Sequence, residues 1–262
     1  MRWWRDGPGA WGLVSSDTLE GMADPAPTLP PMIRDYLEAS DNDAELSIRM
    51  LQADMAKFRL EYSCGMDEVA TKINILRQEF DQTHQYKPIE HVKTRLKSME
   101  SLLDKVTRTD CPRSFDAIRE RIRDIAGIRV VCTFVEDTYR VAEILLQQPD
   151  ITLLQKKDYI ANPKGNGYQS LHLIVSVPVF LSDRSIQVPV EVQIRTIAMD
   201  FWASIEHQIH YKYAGQVPTH LQENLRDVAR VASSLDRQMG DLRAEVRSLE
   251  RLPDDARGAA TA

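Results

Sequence analysis

Between Gln187 and Arg195 the chain alternates with a period of two. Val188, Val190, Val192 and Ile194 take one face, and Gln187, Pro189, Glu191, Gln193 and Arg195 take the other. That period fits an extended strand and excludes a helix. A strand needs partners, and the sequence offers them. Ile128, Val130, Cys132 and Phe134 alternate with Arg129, Val131 and Thr133, so Ile125 to Phe134 is predicted as a strand. Thr152 to Ile160 and His172 to Phe180 carry further strand signals. Helical patterns interleave with these: a short one from Phe115 to Arg121, then Glu136 to Gln148 and Ile197 to Tyr211. Strands interleaved with helices predict an α+β fold built on a mixed β-sheet flanked by helices.

The flanks read as long helical extensions. From Ala44 to Phe80, Leu51, Met55, Phe58 and Tyr62 recur at steps of three and four, and Val69, Ile73, Leu76 and Phe80 repeat the rhythm. Gly65 is expected to break or kink this helix. Pro88 suits the first turn of a further helix, with Ile89, Val92, Leu96, Met99, Leu103 and Val106 on one face. From Thr219 to Leu249 apolar residues step by three or four through Leu221, Leu225, Val228, Val231, Leu235, Met239, Leu242, Val246 and Leu249. Over about four heptads this is the seam of a coiled coil or of a long helix on a flat surface. The expected organisation is a disordered leader over 1–30, with Met22 as an alternative start, and an N-terminal helical segment over 31–87. The α+β domain follows over 88–213, then an oligomerisation helix over 214–252 and a disordered tail over 253–262.

Composition narrows the function. Hydrophobic residues make up 43% of the 262, enough to bury a core. No stretch reaches the ~20 consecutive apolar residues of a membrane-spanning helix. A net charge of −6 argues against a whole-surface nucleic-acid binder and leaves room for a local basic groove. Cys64, Cys111 and Cys132 are scattered without a CxxC pair, which disfavours a thiolate zinc site and a disulfide scaffold. A reducing cytoplasm is the expected location.

Three features point to chemistry. Glu191 stands between two valines in a β-branched strand, where Glu is disfavoured, and Asp124 stands just before another strand. Two carboxylates on one sheet can hold a divalent ion, and hard oxygen ligands suit Mg²⁺. The loop Asn162-Pro163-Lys164-Gly165-Asn166-Gly167-Tyr168 offers two glycines for close backbone approach, a cation and a flat aromatic face. It is neither a Walker A loop nor a Rossmann fingerprint. Lys97, Ser101 and Lys105 fall at i, i+4 and i+8, on one face of the helix expected after Pro88. Arg95 is then roughly 200° from Lys97. Arg129 projects from the non-core side of its strand. Cations, a metal pair and an aromatic platform in one cleft would suit a polyphosphate nucleotide.

The motifs Lys157-Asp158-Tyr159-Ile160, Pro163-Lys164-Gly165-Asn166-Gly167-Tyr168-Gln169-Ser170-Leu171-His172 and Val190-Glu191-Val192-Gln193-Ile194-Arg195-Thr196 resemble the synthetase domain of the RelA/SpoT family. Asp124-Ile125-Ala126-Gly127-Ile128-Arg129 and Arg95-x-Lys97 fit the same pattern, so the resemblance runs from Pro88 to Tyr213, in the order that family uses. The chain is similar to its short branch, the RelQ-like small alarmone synthetases. The resemblance implies a nucleotidyltransferase-like sheet and transfer of pyrophosphate from ATP to the 3′-hydroxyl of GDP or GTP, with release of AMP. None of the six histidines is followed by Asp, so the hydrolase signature of the longer relatives is not expected. By resemblance, Asp124 and Glu191 are the catalytic carboxylates and Mg²⁺ ligands, with Glu191 also taking the acceptor's proton. Arg95 and Arg129 would sandwich the adenine of ATP, and Lys97 and Lys105 would clamp its phosphates. Tyr168 would stack on guanine, through its ring rather than its hydroxyl, with Lys157, Lys164, Asn166 and His172 around the acceptor. Such relatives form closed tetramers, so a homotetramer is expected.

Departures from the family pattern are Asp200, Gln169, His91 and Lys93; the last two make activation by product doubtful. Two other readings stand beside the enzyme: an idle nucleotide- or RNA-binding regulator on the same scaffold, and a structural coiled-coil protein built around residues 219 to 249. RNA could also act as a regulator of the enzyme.

Overall fold

The computed structural model describes residues 44–83, 86–213 and 215–250. The leader over 1–30, the start of the helical segment and the tail over 253–262 lie outside the described residues. The chain divides into a unit of residues 1–52, whose described part is the start of a helix, and a unit of residues 53–262 that holds the sheet.

In chain order the elements are α1 (Ala44–Thr83), β1 (Ile89–Leu96), α2 (Met99–Arg108), α3 (Phe115–Arg121), β2 (Ala126–Cys132), α4 (Val135–Leu146), β3 (Thr152–Asp158), β4 (Leu171–Phe180), β5 (Ser185–Thr196), α5 (Ile197–Lys212) and α6 (Thr219–Glu250). The five strands form one sheet in the order β1-β2-β5-β4-β3. β2 and β5 are parallel at its centre, and every other pair is antiparallel. The expected α+β fold with helical extensions is the fold observed.

Two expectations fail for instructive reasons. Ile89 to Leu96 is a strand, not the first turns of a helix. Its pairing with β2 slips between Ile89 and His91, so two residues of β1 answer one step of β2. That bulge puts Ile89 on the face of Val92 and Leu96, and the spacing of three then four imitates a helix. The helix starts only at Met99, where the Ser98 side chain accepts from Ser101 N at 3.2 Å. Gly65 does not interrupt α1. It lets α1 lie directly on the sheet: a Cβ there would stand 2.5 Å from Cγ1 of Val188.

The apolar face of β5, with Val188, Val190, Val192 and Ile194 all buried, is the heart of the core. From α1, Phe58, Tyr62, Val69 and Ile73 are buried as well. Glu61 is buried among them and pairs with Arg119 and Arg184. α4 lies beside α1, with the Arg140 guanidinium 5.1 Å from the Phe80 ring centre. α6 docks on α5, where Trp202 Nε1 donates to Leu225 O at 2.8 Å.

Candidate active site

The register of the sheet brings the polar residues into rows. Lys93, Arg129, Gln193, His172 and Lys157 pair in succession from β1 to β3, and so do Arg95, Gly127, Glu191, Ile174 and Gln155. Paired residues share a face, so both rows lie on the face opposite the valines. Arg95 and Lys97, awkwardly placed on a helix, are two residues apart on or just after an extended strand and share its direction.

Asp124 stands two residues before β2. Lys97 Nζ lies 2.7 Å from its Oδ2 and Lys105 Nζ 2.7 Å from its Oδ1. The expected convergence of the lysines therefore occurs, although only Lys105 is on the helix. Burial pushes the Asp124 carboxyl up, and hydrogen bonds from Lys105 and Lys97 more than reverse it, leaving it below the usual carboxylate range.

Glu191 is also held ionised. Burial raises its carboxyl, but His172 and Gln193 bring it below the ordinary value; the charge of Asp124 acts against them. His172 Nδ1 is 3.3 Å from Oε1, and Gln193 Nε2 donates to Oε2 at 3.0 Å. A pocket of about 200 Å³ opens here, lined by Glu191, His172, Lys157, Lys164, Tyr159 and others.

The Tyr168 ring packs edge-on against Tyr159 and His172 of this pocket and is backed by Trp202, with ring centres 6.4 Å apart. Its hydroxyl lies 2.7 Å from His172 Nε2 and accepts from Arg195 Nη2 at 2.9 Å. A hydroxyl that accepts from Arg195 can donate to Nε2, which leaves the His172 proton on Nδ1, toward Glu191. Lys164 Nζ is 4.6 Å from the Tyr159 ring centre and 4.8 Å from that of Tyr168. The loop is held by Gly167, whose φ is +94°; Gly165 has no positive φ. Asn166 accepts from Tyr168 N at 3.1 Å and donates to Glu206 at 3.2 Å, so its side chain shapes the loop.

Arg129 leans toward α5. Its Nη1 is 3.2 Å from Asp200 Oδ1, and Arg195 Nη1 is 3.3 Å from the same oxygen. Asp200 thus pairs with two arginines at the edge of the site, one negative charge against two positive. Tyr159, Gln193 and Arg195 belong to this constellation too. The alternation of β5 places Gln193 and Arg195 on the face of Glu191, and Tyr159 lies inside the Lys157-Asp158-Tyr159-Ile160 motif. Only the folded chain shows that they touch His172, Tyr168 and Glu191.

Two ionised carboxylates, a set of lysines and arginines and an aromatic platform can bind a nucleoside triphosphate, hold a divalent ion and remove a proton from a hydroxyl. Among the described residues no cluster of three or more His, Cys, Asp or Glu side chains could hold a metal. A metal here would take further ligands from its phosphates.

Residues 94–216 match the family described as "Region found in RelA / SpoT proteins". The chain is 43% identical over 199 residues to GTP pyrophosphokinase YwaC of Bacillus subtilis, covering 76% of this chain and 95% of that relative. The crystal structure of small alarmone synthetase 1 from Bacillus subtilis bound to its product pppGpp superposes with a TM-score of 0.69 at 37% identity, covering 74% of this chain and 98% of that one. The same synthetase bound to AMPCPP gives a TM-score of 0.66 at 34% identity, covering 75% and 99%.

Proposed function

The chain belongs to the RelA/SpoT family, and on that premise we propose that it is a GTP pyrophosphokinase of the small-alarmone-synthetase type, transferring pyrophosphate from ATP to the 3′-hydroxyl of GDP or GTP. The observation that carries this reading is Glu191: an ionised carboxylate in an open pocket, aimed by His172 and Gln193 and within electrostatic reach of Asp124.

The acceptor's 3′-oxygen forms a bond to the β-phosphorus of ATP, the bond from that phosphorus to the α,β-bridging oxygen breaks, and AMP leaves. The hydroxyl proton passes to Glu191. Little covalent chemistry is asked of the protein; in-line placement and charge neutralisation do most of the work. Lys97 and Lys105 supply positive charge for the ATP phosphates, and Arg95 and Arg129 flank the adenine. The ring of Tyr168 stacks on guanine. Lys157, Lys164, Asn166 and His172 complete the acceptor side, His172 by orienting Glu191.

Asp124 and Glu191 fit a divalent ion. Each raises the cost of ionising the other, a repulsion a dication would relieve. Hard oxygen donors make Mg²⁺ our choice. When bound, it neutralises phosphate charge and acidifies the acceptor hydroxyl.

We also infer a homotetramer assembled through α6. That helix turns Ala229 and Asp236 inward and leaves Val228, Val231, Leu235, Met239, Leu242 and Val246 exposed. A contiguous apolar stripe of this length is rare on a monomer. A cytoplasmic location fits the three free thiols, and among the described residues no helix is long and apolar enough to cross a membrane.

The test is label transfer from γ-labelled ATP to GDP with Mg²⁺, in the wild type and in Glu191→Gln. The amide keeps the volume and can still accept from His172, so thermal stability should hold while kcat falls by about 10²–10⁴-fold. Near-normal turnover of the variant at saturating Mg²⁺ would remove Glu191 from its role. Nucleotide binding without AMP release by the wild type would favour an idle regulator.

A further inference from the structure

A second concavity lies beside the one that holds Glu191. A cavity of about 530 Å³ opens between the 162–168 loop and α6. Its charged lining is Lys164 from the loop and Arg226, Arg230 and Arg237 from the helix, and no carboxylate lines it. Arg226, Arg230, Ser233 and Arg237 are spaced at i, i+4, i+7 and i+11, a single stripe along α6. The loop holds that stripe at close range. A Cβ on Gly167 would stand 2.4 Å from the Ala229 Cβ, and the Ser233 hydroxyl donates to Gln169 Oε1 at 2.7 Å.

Arg230 pairs with Asp227 on its own helix. Arg226 and Arg237 form no ion pair among the described residues. In a chain of net charge −6, four cations around one cavity repel one another with little local compensation. Guanidinium groups present paired donors that match the oxygens of a phosphate. Lys164 lines this cavity and also the smaller pocket that holds Glu191, so the two share a wall.

We propose that the cavity is a phosphate-chain site, taking successive phosphate groups on Arg226, Arg230, Arg237 and Lys164. The nearest source is the 5′-di- or triphosphate of the acceptor, which rests on the function proposed above. A separate polyphosphate ligand has the same chemistry and is the other source. The site itself does not depend on the activity.

Calorimetric titration of the full chain with sodium tripolyphosphate, free of divalent metal, reads the site directly. The wild type should bind, more weakly as salt rises, and the double variant R226Q/R237Q should bind at least tenfold more weakly. Arg237→Lys should fall between them, because it keeps the charge and loses the fork. Both side chains are exposed, so the single variants R226Q and R237Q carry the same test if the double variant does not fold. A second arm separates the sources. If the acceptor's own phosphates fill the cavity, the double variant raises KM for GTP more than for GDP, and for GDP more than for GMP. If a separate ligand fills it, these constants stay in their wild-type ratios while tripolyphosphate binding is lost. Absence of tripolyphosphate binding in the wild type, or equal binding in the double variant, would overturn the proposal. A chain without synthetase activity would sink the proposed function and leave the calorimetric result standing.

Discussion

The hydroxyl of Tyr168 lies 2.7 Å from Nε2 of His172, and the other nitrogen of that ring faces Glu191 at 3.3 Å. The Tyr168 ring and the Glu191 carboxylate are thus joined through one imidazole. Arg195, itself 3% exposed, donates to the same hydroxyl at 2.9 Å. The hydroxyl therefore has polar partners of its own, beside the stacking that the resemblance implies for the ring.

Tyr168→Phe should keep the platform and lose the link. A buried donor or acceptor left without its partner costs about 1–3 kcal/mol. We expect kcat to fall about tenfold, with a smaller rise in acceptor KM than Tyr168→Ala causes. Steady-state kinetics with ATP saturating checks this. Wild-type kcat in the phenylalanine variant would show that the hydroxyl contact is idle.

Gly65→Ala should destabilise the protein. In a bare helix the change gains about 0.5–1 kcal/mol. Here the new methyl would meet Val188 Cγ1 at 2.5 Å and Cβ at 2.7 Å. A short β-branched side chain on a central strand cannot swing aside, and overpacking costs about 1–3 kcal/mol. Denaturant unfolding should show a net loss, and adding Val188→Ala should recover part of it. A gain in the single variant would mean that α1 and β5 are less closely packed.

Asp236 accepts from the Thr196 hydroxyl at 2.8 Å. Burial raises its carboxyl above the ordinary value, and the bond to Thr196 only partly offsets this. A raised folded-state value means that the folded protein holds the proton more tightly than the unfolded chain. The stabilisation is then complete below the ordinary value and is lost as pH rises through the folded one. At neutral pH the buried charge is a cost. Asp236→Asn should raise Tm at pH 7.5 by about 2–4 °C, and the gain should shrink as pH falls. A fall in Tm at pH 7.5 would contradict this.

Leu235 is 50% exposed at the middle of the α6 stripe. Leu235→Glu should leave the protomer folded and split the oligomer, since assembly would bury an unpaired charge. Light scattering should give a tetramer mass for the wild type and a smaller mass for the variant. A monomeric wild type at micromolar concentration would refute the assembly.

Much of this was legible in the sequence because period-two alternation leaves little choice. The alternation from Gln187 to Arg195 names both the core face and the polar face of β5, and the polar face lines the candidate site. β1 misled because a bulge shifted Ile89 onto the face of Val92 and gave a strand the spacing of a helix. Gly65 misled because its role is set by Val188, more than a hundred residues away. The polar links of Tyr168, His172 and Arg195 were not legible at all. Residue types and spacing place side chains on a face, but which of them touch depends on loop path and register. Asp200 stood out only as a departure from a pattern; the fold gives it a partner in each of Arg129 and Arg195.

The central claim is that the bond broken lies between the α- and β-phosphates of ATP and that both outer phosphates move together. ATP labelled at the β-phosphate, incubated with GDP, Mg²⁺ and the purified chain, tests this directly. The account predicts label in the guanosine product, in equal amount to the AMP formed, and no label in AMP. Label appearing in ADP, with only the γ-phosphate reaching the acceptor, would contradict it.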